Sequence, residues 1–296
     1  MRILIITQFF DPEFGAASAR LTGLSKELAA LGHTVSVITC YPNYPFGKIY
    51  SDWKKHPVSL IHDIRVTRVW SYVRPGNSAP YRIINFITFF LFATVNGLKL
   101  REKFDVVLSS SPPLIAGLGG VILAKRMGIP HVFDVRDIWP DVAVESGEFS
   151  PSSILVKLAS TLAQFIYNNS TSITVVTKEK QMRFLQKGYN LMNIHLVENG
   201  IDPAIIHNAP RIDLYREFSV NRKRIIAIYA GLLGVAQGVI HLVRIMNTAA
   251  LQNNVHLLVV GEGSQKKEIL EYVREHKLEN VTVLDAVGKE KAIGFI

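Results

Sequence analysis

Only one of the 296 residues is a cysteine, Cys40, so the chain holds no internal disulfide, no zinc knuckle and no cysteine-ligated iron–sulfur cluster. Its nine histidines show no metal-ligand spacing, and H-E-x-x-H, G-x-S-x-G, the P-loop and G-x-G-x-x-G are all missing. Long hydrophobic runs are missing too. The most apolar stretch, residues 83–98, is interrupted by Asn85, Thr88, Thr94 and Asn96 and is shorter than the ~20 residues that span a bilayer. The opening apolar run ends at Thr7, Gln8 and Asp11, too early for a secretory signal. These absences predict a cytoplasmic protein. Acidic residues are in deficit, with 33 Lys and Arg against 24 Asp and Glu and a net charge of +9. That excess favours an anionic partner: a phosphate-bearing substrate, an acidic membrane surface or nucleic acid.

What is present is apolar mass and strand–helix alternation. The chain is 48% hydrophobic and 19% charged, enough to fill cores in about two domains. Short β-branched runs at 1–7, 34–40, 64–70, 105–109, 131–134, 172–176 and 195–197 alternate with amphipathic stretches at 18–31, 83–98, 114–127, 154–167 and 178–187. Such alternation predicts parallel sheets covered by helices on both faces, with ligands bound beyond the carboxyl ends of the strands. Residues 199–224, with Pro203, Pro210 and a charged cluster at 221–224, read as a linker. The pattern then restarts: strand 225–230, helix 239–251, strand 255–260, helix 265–276 and strand 281–284. The expected domains are therefore 1–198 and 225–296, the second shorter than a typical ~100–150-residue domain.

The loops leaving the strands hold the candidate chemistry. The segment 8–18 (QFFDPEFGAAS) puts Gly15 and Ala16 before a helix, where small residues admit a ligand to free N–H groups; an ordinary strand–helix loop would read the same. The densest polar cluster is DVRDIWPD, with Asp134, Arg136, Asp137, Trp139 and Asp141. A guanidinium orients neighbouring carboxylates and an indole gives a sugar ring or lipid an apolar platform; the alternative is an ion pair that caps the strand. Two loops in the second half are glycine-spaced, Gly231–Gly234–Gln237–Gly238 and Gly261–Glu262–Gly263, an arrangement that suits a diphosphate. Residues 48–103 carry ten Lys and Arg, Lys54 and Lys55 among them, against three acidic residues. They bracket the aromatic run Phe86, Phe89, Phe90 and Phe92 with Arg82 on one side and Lys99 and Arg101 on the other. A helix of that kind suits docking on an anionic bilayer, although a buried helix with a solvated basic rim would look alike.

Taken in order, these segments resemble glycosyltransferase family 4, the retaining transferases of GT-B fold. The opening MRILIITQFFDPEFGAASARLTGLSKELAALGHTVSVIT resembles the family's first strand, small-residue loop, helix and second strand. DVRDIWPD resembles the loop of members that build bacterial surface polysaccharides, close to the L-fucosamine transferase-like subgroup, and VENGID the entry to the second domain. IYAGLLGVAQG and LLVVGEGSQKKEI resemble that domain's first two strand–loop–helix units.

The resemblance implies two Rossmann-like domains facing a cleft and transfer of a sugar from a nucleotide diphosphate sugar, UDP-linked, to an undecaprenyl-diphosphate-linked saccharide of O-antigen or capsule. It implies no metal and no other cofactor. On it, Asp137 oriented by Arg136 stands beside the reacting sugar. Asp134, Trp139, Gly15 and Ala16 line the substrate site; Gly231, Gly234, Gln237 and Gly238 face the diphosphate; Gly261, Glu262 and Gly263 face the nucleoside. The enzyme is expected on the inner face of the cell membrane. Gln237 stands where many members carry a lysine, and the family's paired glutamates fall beyond residue 296, so this reading expects a C-terminally truncated chain with little activity of its own. An inactive membrane-associated remnant, a dinucleotide-dependent enzyme and a nucleic-acid binder are the alternatives, the last two without a supporting motif.

Overall fold

The computed structural model describes residues 1–296 except positions 14, 45, 54, 55, 77 and 148 and the side chains of 79, 191 and 236. Lys54 and Lys55 of the basic block and Phe14 of the first loop therefore lie outside the described residues. The chain forms two units, Met1–Gly200 and Ile201–Ile296.

Unit 1 begins with β1 (Arg2–Ile6), α1 (Ala16–Ala30), β2 (Thr34–Cys40), β3 (Val58–Ile61) and β4 (Ile64–Val69). It continues through α2 (Ala79–Leu98), β5 (Val106–Ser111), α3 (Leu114–Met127), β6 (His131–Val135), α4 (Asp141–Glu145) and α5 (Ile154–Asn168), and closes with β7 (Ser172–Val175), α6 (Lys178–Gln186) and β8 (Ile194–Leu196). The eight strands run in the order β3-β4-β2-β1-β5-β6-β7-β8. All neighbours are parallel except β3 and β4. β3 is absent from the sequence reading because it is a four-residue edge strand with two exposed positions, and so has no two-sided apolar run. The strand order reverses between β1 and β5, which makes the carboxyl ends of these strands the crevice where open α/β sheets bind ligands.

The β-branched strands are buried on both faces, as parallel sheets require. Leu4, Ile6, Ile38, Phe89 and Leu123 form one core, and Ile3, Ile5, Leu21, Val37 and Val66 the opposite one. α2 packs against α3 through small residues: a Cβ on Gly97 would stand 2.3 Å from the Leu123 side chain, and one on Gly119 2.9 Å from Thr94 Oγ1. The apolar stretch expected to stop short of bilayer length belongs to a 20-residue helix. Its segment Pro80–Leu98 is long and apolar enough, by length and composition alone, to cross a membrane. One stripe of it, Phe89, Ala93 and Thr94, is buried in the core, while Ile84, Ile87, Leu91 and Val95 are exposed.

Unit 2 contains α7 (Pro203–His207), α8 (Leu214–Glu217), β9 (Ile225–Ala230), α9 (Val239–Ile245), α10 (Ala249–Asn254), β10 (Val255–Val260), α11 (Lys266–Glu275), β11 (Val281–Leu284) and α12 (Lys289–Gly294). Its three strands are parallel in the order β11-β10-β9. The stretch read as a linker does more than connect. Ile212, Leu214 and Phe218 pack against Leu258, Val260 and Phe295, so 201–224 covers one face of this sheet. The single helix expected at 239–251 is two, broken at 246–248.

Candidate active site

The DVRDIWPD segment leaves β6 at the carboxyl edge of the unit 1 sheet, but its four candidates have different roles. Asp134 is fully buried. Its Oδ1 accepts from Arg20 NH2 at 2.8 Å and Thr174 Oγ1 at 2.7 Å; its Oδ2 accepts from Ser110 Oγ at 2.8 Å and Arg20 Nε at 3.3 Å. A carboxylate so enclosed does not meet a ligand. The structure corrects Asp134 from a substrate contact to an internal buttress that joins β5, β6 and β7 to α1. Arg20 also donates from NH1 to Glu198 O at 3.1 Å and Asn199 Oδ1 at 3.2 Å, which fixes the VENG segment to the same point.

Asp137 is partly exposed, as a group that meets a ligand must be. Its carboxylate is paired with Lys180 of α6, Nζ to Oδ1 3.6 Å, where the sequence reading expected Arg136. Arg136 is half-buried. Burial pushes its pKa down, against the carboxylates of Asp137 and Asp134, which hold it up. Trp139 lines an apolar cavity of about 430 Å³ together with residues of α2 and α5. One short loop thus presents a charged pair and an apolar wall.

At the neighbouring strand, Gly15 is half-buried at the start of α1 with φ 113°, a conformation open chiefly to glycine, and Ala16 is exposed. The first-turn N–H groups of a 15-residue helix lack intrahelical partners. Two residues before Gly15, Glu13 is 5% exposed. Its Oε1 accepts from the backbone N–H of Asn43 at 2.8 Å and Tyr44 at 3.0 Å, tying the β1 and β2 exit loops together. Its Oε2 is buried without a hydrogen-bond partner among the described residues. Burial, against the hydrogen bonds from Asn43 and Tyr44, raises the carboxyl to about 7.

In unit 2 the two glycine loops follow β9 and β10 and lie backbone against backbone. Leu233 N donates to Glu262 O at 2.9 Å, and Gln265 N to Leu233 O at 2.8 Å. A Cβ on Gly261 would stand 1.8 Å from Gly231 O, and one on Gly263 2.4 Å from Leu233 O. The spacing thus has a packing cause that the sequence reading did not consider. Gly261→Ala must part the two loops. We expect it to destabilise unit 2 by about 2 kcal/mol, seen as faster hydrogen exchange at Leu257–Val260 with unit 1 unchanged. Gly231 and Gln237 are exposed and Gly234 and Gly238 half-buried, Gly238 in the left-handed region with φ 62°. Glu262 is held by Lys266, Nζ to Oε1 2.5 Å, and Lys266 also bonds Asp285. Burial works to lower the Lys266 pKa, but the hydrogen bonds with Asp285 and Glu262 hold it above the usual lysine value. A cation therefore stands beside the second glycine loop, although Gln237 is neutral.

Arg20, Glu13, Lys180 and Lys266 were not singled out from sequence. For Arg20 a signal existed: a charge next to Leu21 and one turn before Leu24 on an otherwise apolar helical face needs a buried partner. Lys180 lies 43 positions from Asp137, and nothing local announces that pair. Among the described residues, no three His, Cys, Asp or Glu side chains gather as a metal site.

Residues 15–200 match the model of the glycosyl transferase 4-like domain. The putative colanic acid biosynthesis glycosyl transferase WcaI of Escherichia coli K12 is 23% identical over 295 residues, covering 95% of this chain and 70% of that protein; against further relatives the chain spans 59% of their length. Sucrose-phosphate synthase from Thermosynechococcus elongatus superposes with a TM-score of 0.72 at 15% identity, covering 99% of this chain and 72% of the other. Anabaena HepE in complex with UDP gives 0.63 at 16% identity, covering 98% and 70%.

Proposed function

Because the chain belongs to the glycosyl transferase 4-like family, with the α/β GT-B fold, we propose that it transfers a sugar from a nucleotide diphosphate sugar to a lipid-linked saccharide in bacterial surface polysaccharide synthesis. Retention of anomeric configuration and a fucosamine-type specificity belong to this reading through the motif resemblance, and WcaI, whose name assigns it to colanic acid biosynthesis, supports the pathway class. The HepE complex with UDP supports a uridine donor. No metal or further cofactor is part of the proposal.

The observation that carries it is the partly exposed Asp137–Lys180 pair at the carboxyl end of β6, fixed by the buried Arg20–Asp134 bridge one turn of loop away. The acceptor hydroxyl attacks the anomeric carbon as its bond to the β-phosphate oxygen breaks, and the hydroxyl proton passes to that departing oxygen. Positive charge gathers on the sugar, and a carboxylate already held in place stabilises it without reorganising. Asp137 has this role, Lys180 and Arg136 position it, and Trp139 forms the apolar side of the acceptor site. The glycine loops at 231–238 and 261–263 hold the donor diphosphate and nucleoside, with Lys266 as the nearby cation.

Incubating the chain with UDP-sugars and a short-chain polyprenyl-diphosphate-linked saccharide tests this by mass spectrometry. We expect a slow one-sugar mass gain, in keeping with the low activity expected of this chain, that Asp137→Asn lowers at least about tenfold, or ~1.4 kcal/mol, with the fold retained. Transfer at the wild-type rate by Asp137→Asn would remove Asp137 from the chemistry; absence of transfer and of nucleotide binding together would remove the whole reading.

A further inference from the structure

The cavity beside Trp139 takes no part in the bond-making step described above. Ile83, Phe86 and Ile87 of α2, Leu155 and Ala159 of α5, and Trp139 itself are among its wall residues, and Arg82 is the one charged lining residue among the described residues. Its volume of about 430 Å³ falls within the usual range of small-molecule sites. A wall so nearly free of polar atoms has no means of fixing a sugar or a nucleotide; it fits hydrocarbon. At its mouth Ile83, Ile87, Leu155 and Leu158 are exposed, a contiguous apolar surface of the sort that marks a lipid or protein contact.

Charge selects among apolar occupants. The N-terminal end of α2 carries Arg82 at the cavity wall, and Arg74 lies over the ring of Tyr81, 4.1 Å from its centroid. Arg82 thus stands at the cavity wall and Arg74 beside Tyr81, the residue before Arg82 in sequence, and a guanidinium suits the phosphate of an isoprenoid or acyl lipid. The cavity also shares its loop with the Asp137–Lys180 pair. An occupant held here by its hydrocarbon lies against the loop that carries the proposed chemistry, as an acceptor substrate would.

We propose that this cavity is the subsite for the first isoprene units of the acceptor's polyprenyl phosphate, with Arg82 at the phosphate. The proposal rests on the lipid-linked acceptor proposed above and assigns that lipid a place on unit 1.

Farnesyl phosphate is the probe, titrated against the full chain while tryptophan emission is recorded. The expected result is saturable binding with a blue shift that Trp139→Phe removes. Ala159→Phe, which fills the cavity, and Leu155→Glu, at its exposed mouth, should each weaken binding at least about tenfold; the second is at the surface and keeps the proposal testable should the first perturb the fold. Farnesol, lacking the phosphate, should bind about tenfold more weakly than farnesyl phosphate, and Arg82→Ala should erase that difference. The proposal is overturned if farnesyl phosphate does not saturate, if Ala159→Phe and Leu155→Glu both bind like wild type, or if phosphatidylglycerol vesicles compete as well as farnesyl phosphate does. Sugar transfer with an unchanged acceptor KM in Ala159→Phe would sink the subsite alone. Saturable farnesyl phosphate binding without any transfer would leave the subsite standing and sink the transferase reading.

Discussion

Arg20→Ala is expected to destabilise unit 1 by about 3–5 kcal/mol, the cost of leaving one member of a buried ion pair without its partner. Both side chains are almost fully enclosed, Arg20 at 5% and Asp134 at 1% exposure. Truncating the arginine leaves a carboxylate with only the hydroxyls of Ser110 and Thr174. It also frees the carbonyl of Glu198 and the side chain of Asn199, which Arg20 holds. Asp134→Ala should be similarly costly, because the guanidinium is then the orphan. The double variant should be milder than the sum by about 2 kcal/mol, since one cause is being counted twice. Urea unfolding followed by tryptophan fluorescence reads unit 1 selectively, because Trp53, Trp70 and Trp139 all lie within it. A loss below about 1 kcal/mol would mean that the pair is solvated in solution.

The second large effect is a pH dependence hidden by cancellation. Glu13, at about 7 in the fold against 4.5 ordinarily, binds its proton more tightly folded than unfolded. Its contribution is complete below pH 4.5 and is lost as pH rises through 7. His131 is the reverse: burial between Ser109 Oγ at 2.7 Å and Ser170 Oγ at 3.0 Å lowers it from 6.5 to about 4. Its contribution is present above pH 6.5 and is lost as pH falls through 4. Each shift corresponds to roughly 3 kcal/mol at full extent, and between pH 4.5 and 6.5 the two slopes oppose each other. Wild-type stability should therefore vary little from these groups in that window. Glu13→Gln retains an acceptor for Asn43 and Tyr44 and removes one slope, so its stability should fall by up to about 3 kcal/mol on acidification from pH 6.5 to 4. His131→Gln should gain a similar amount on acidification from pH 7.5 to 4.5, whatever its stability at neutral pH. Chemical denaturation at each pH gives both curves; variant profiles parallel to wild type would contradict the buried states assigned to these residues.

The fold was legible in the sequence where burial is two-sided. Runs such as RILII and TVSVITC form parallel strands buried on both faces, and their apolar content alone marks them. It was illegible at the edges: β3 buries a single position, and residues 201–224 cover a sheet with scattered apolar side chains, Ile212, Leu214 and Phe218, that follow no regular period. The position of the candidate site was legible too, because loops at carboxyl ends follow from the alternation itself. Roles within it were not. Asp134 and Asp137 are three residues apart in one motif, yet one is enclosed by side chains from α1, β5 and β7 and the other meets Lys180 at the surface. Partners that arrive from 24 to 114 positions away decide that difference, and no local pattern contains them. The glycines of 261–263 teach the converse: their spacing has a cause in the contact with Gly231 and Leu233, so glycine spacing by itself does not identify a phosphate loop.

Nucleotide binding by the purified chain bears most directly on the transferase account. In saturation-transfer NMR with UDP-sugars, the account predicts transfer to the uracil and ribose protons, displaced by UDP, preserved in Asp137→Asn and lost in Gly261→Ala. Failure of UDP, ADP and GDP and their sugar conjugates alike to receive saturation at millimolar concentration would contradict it.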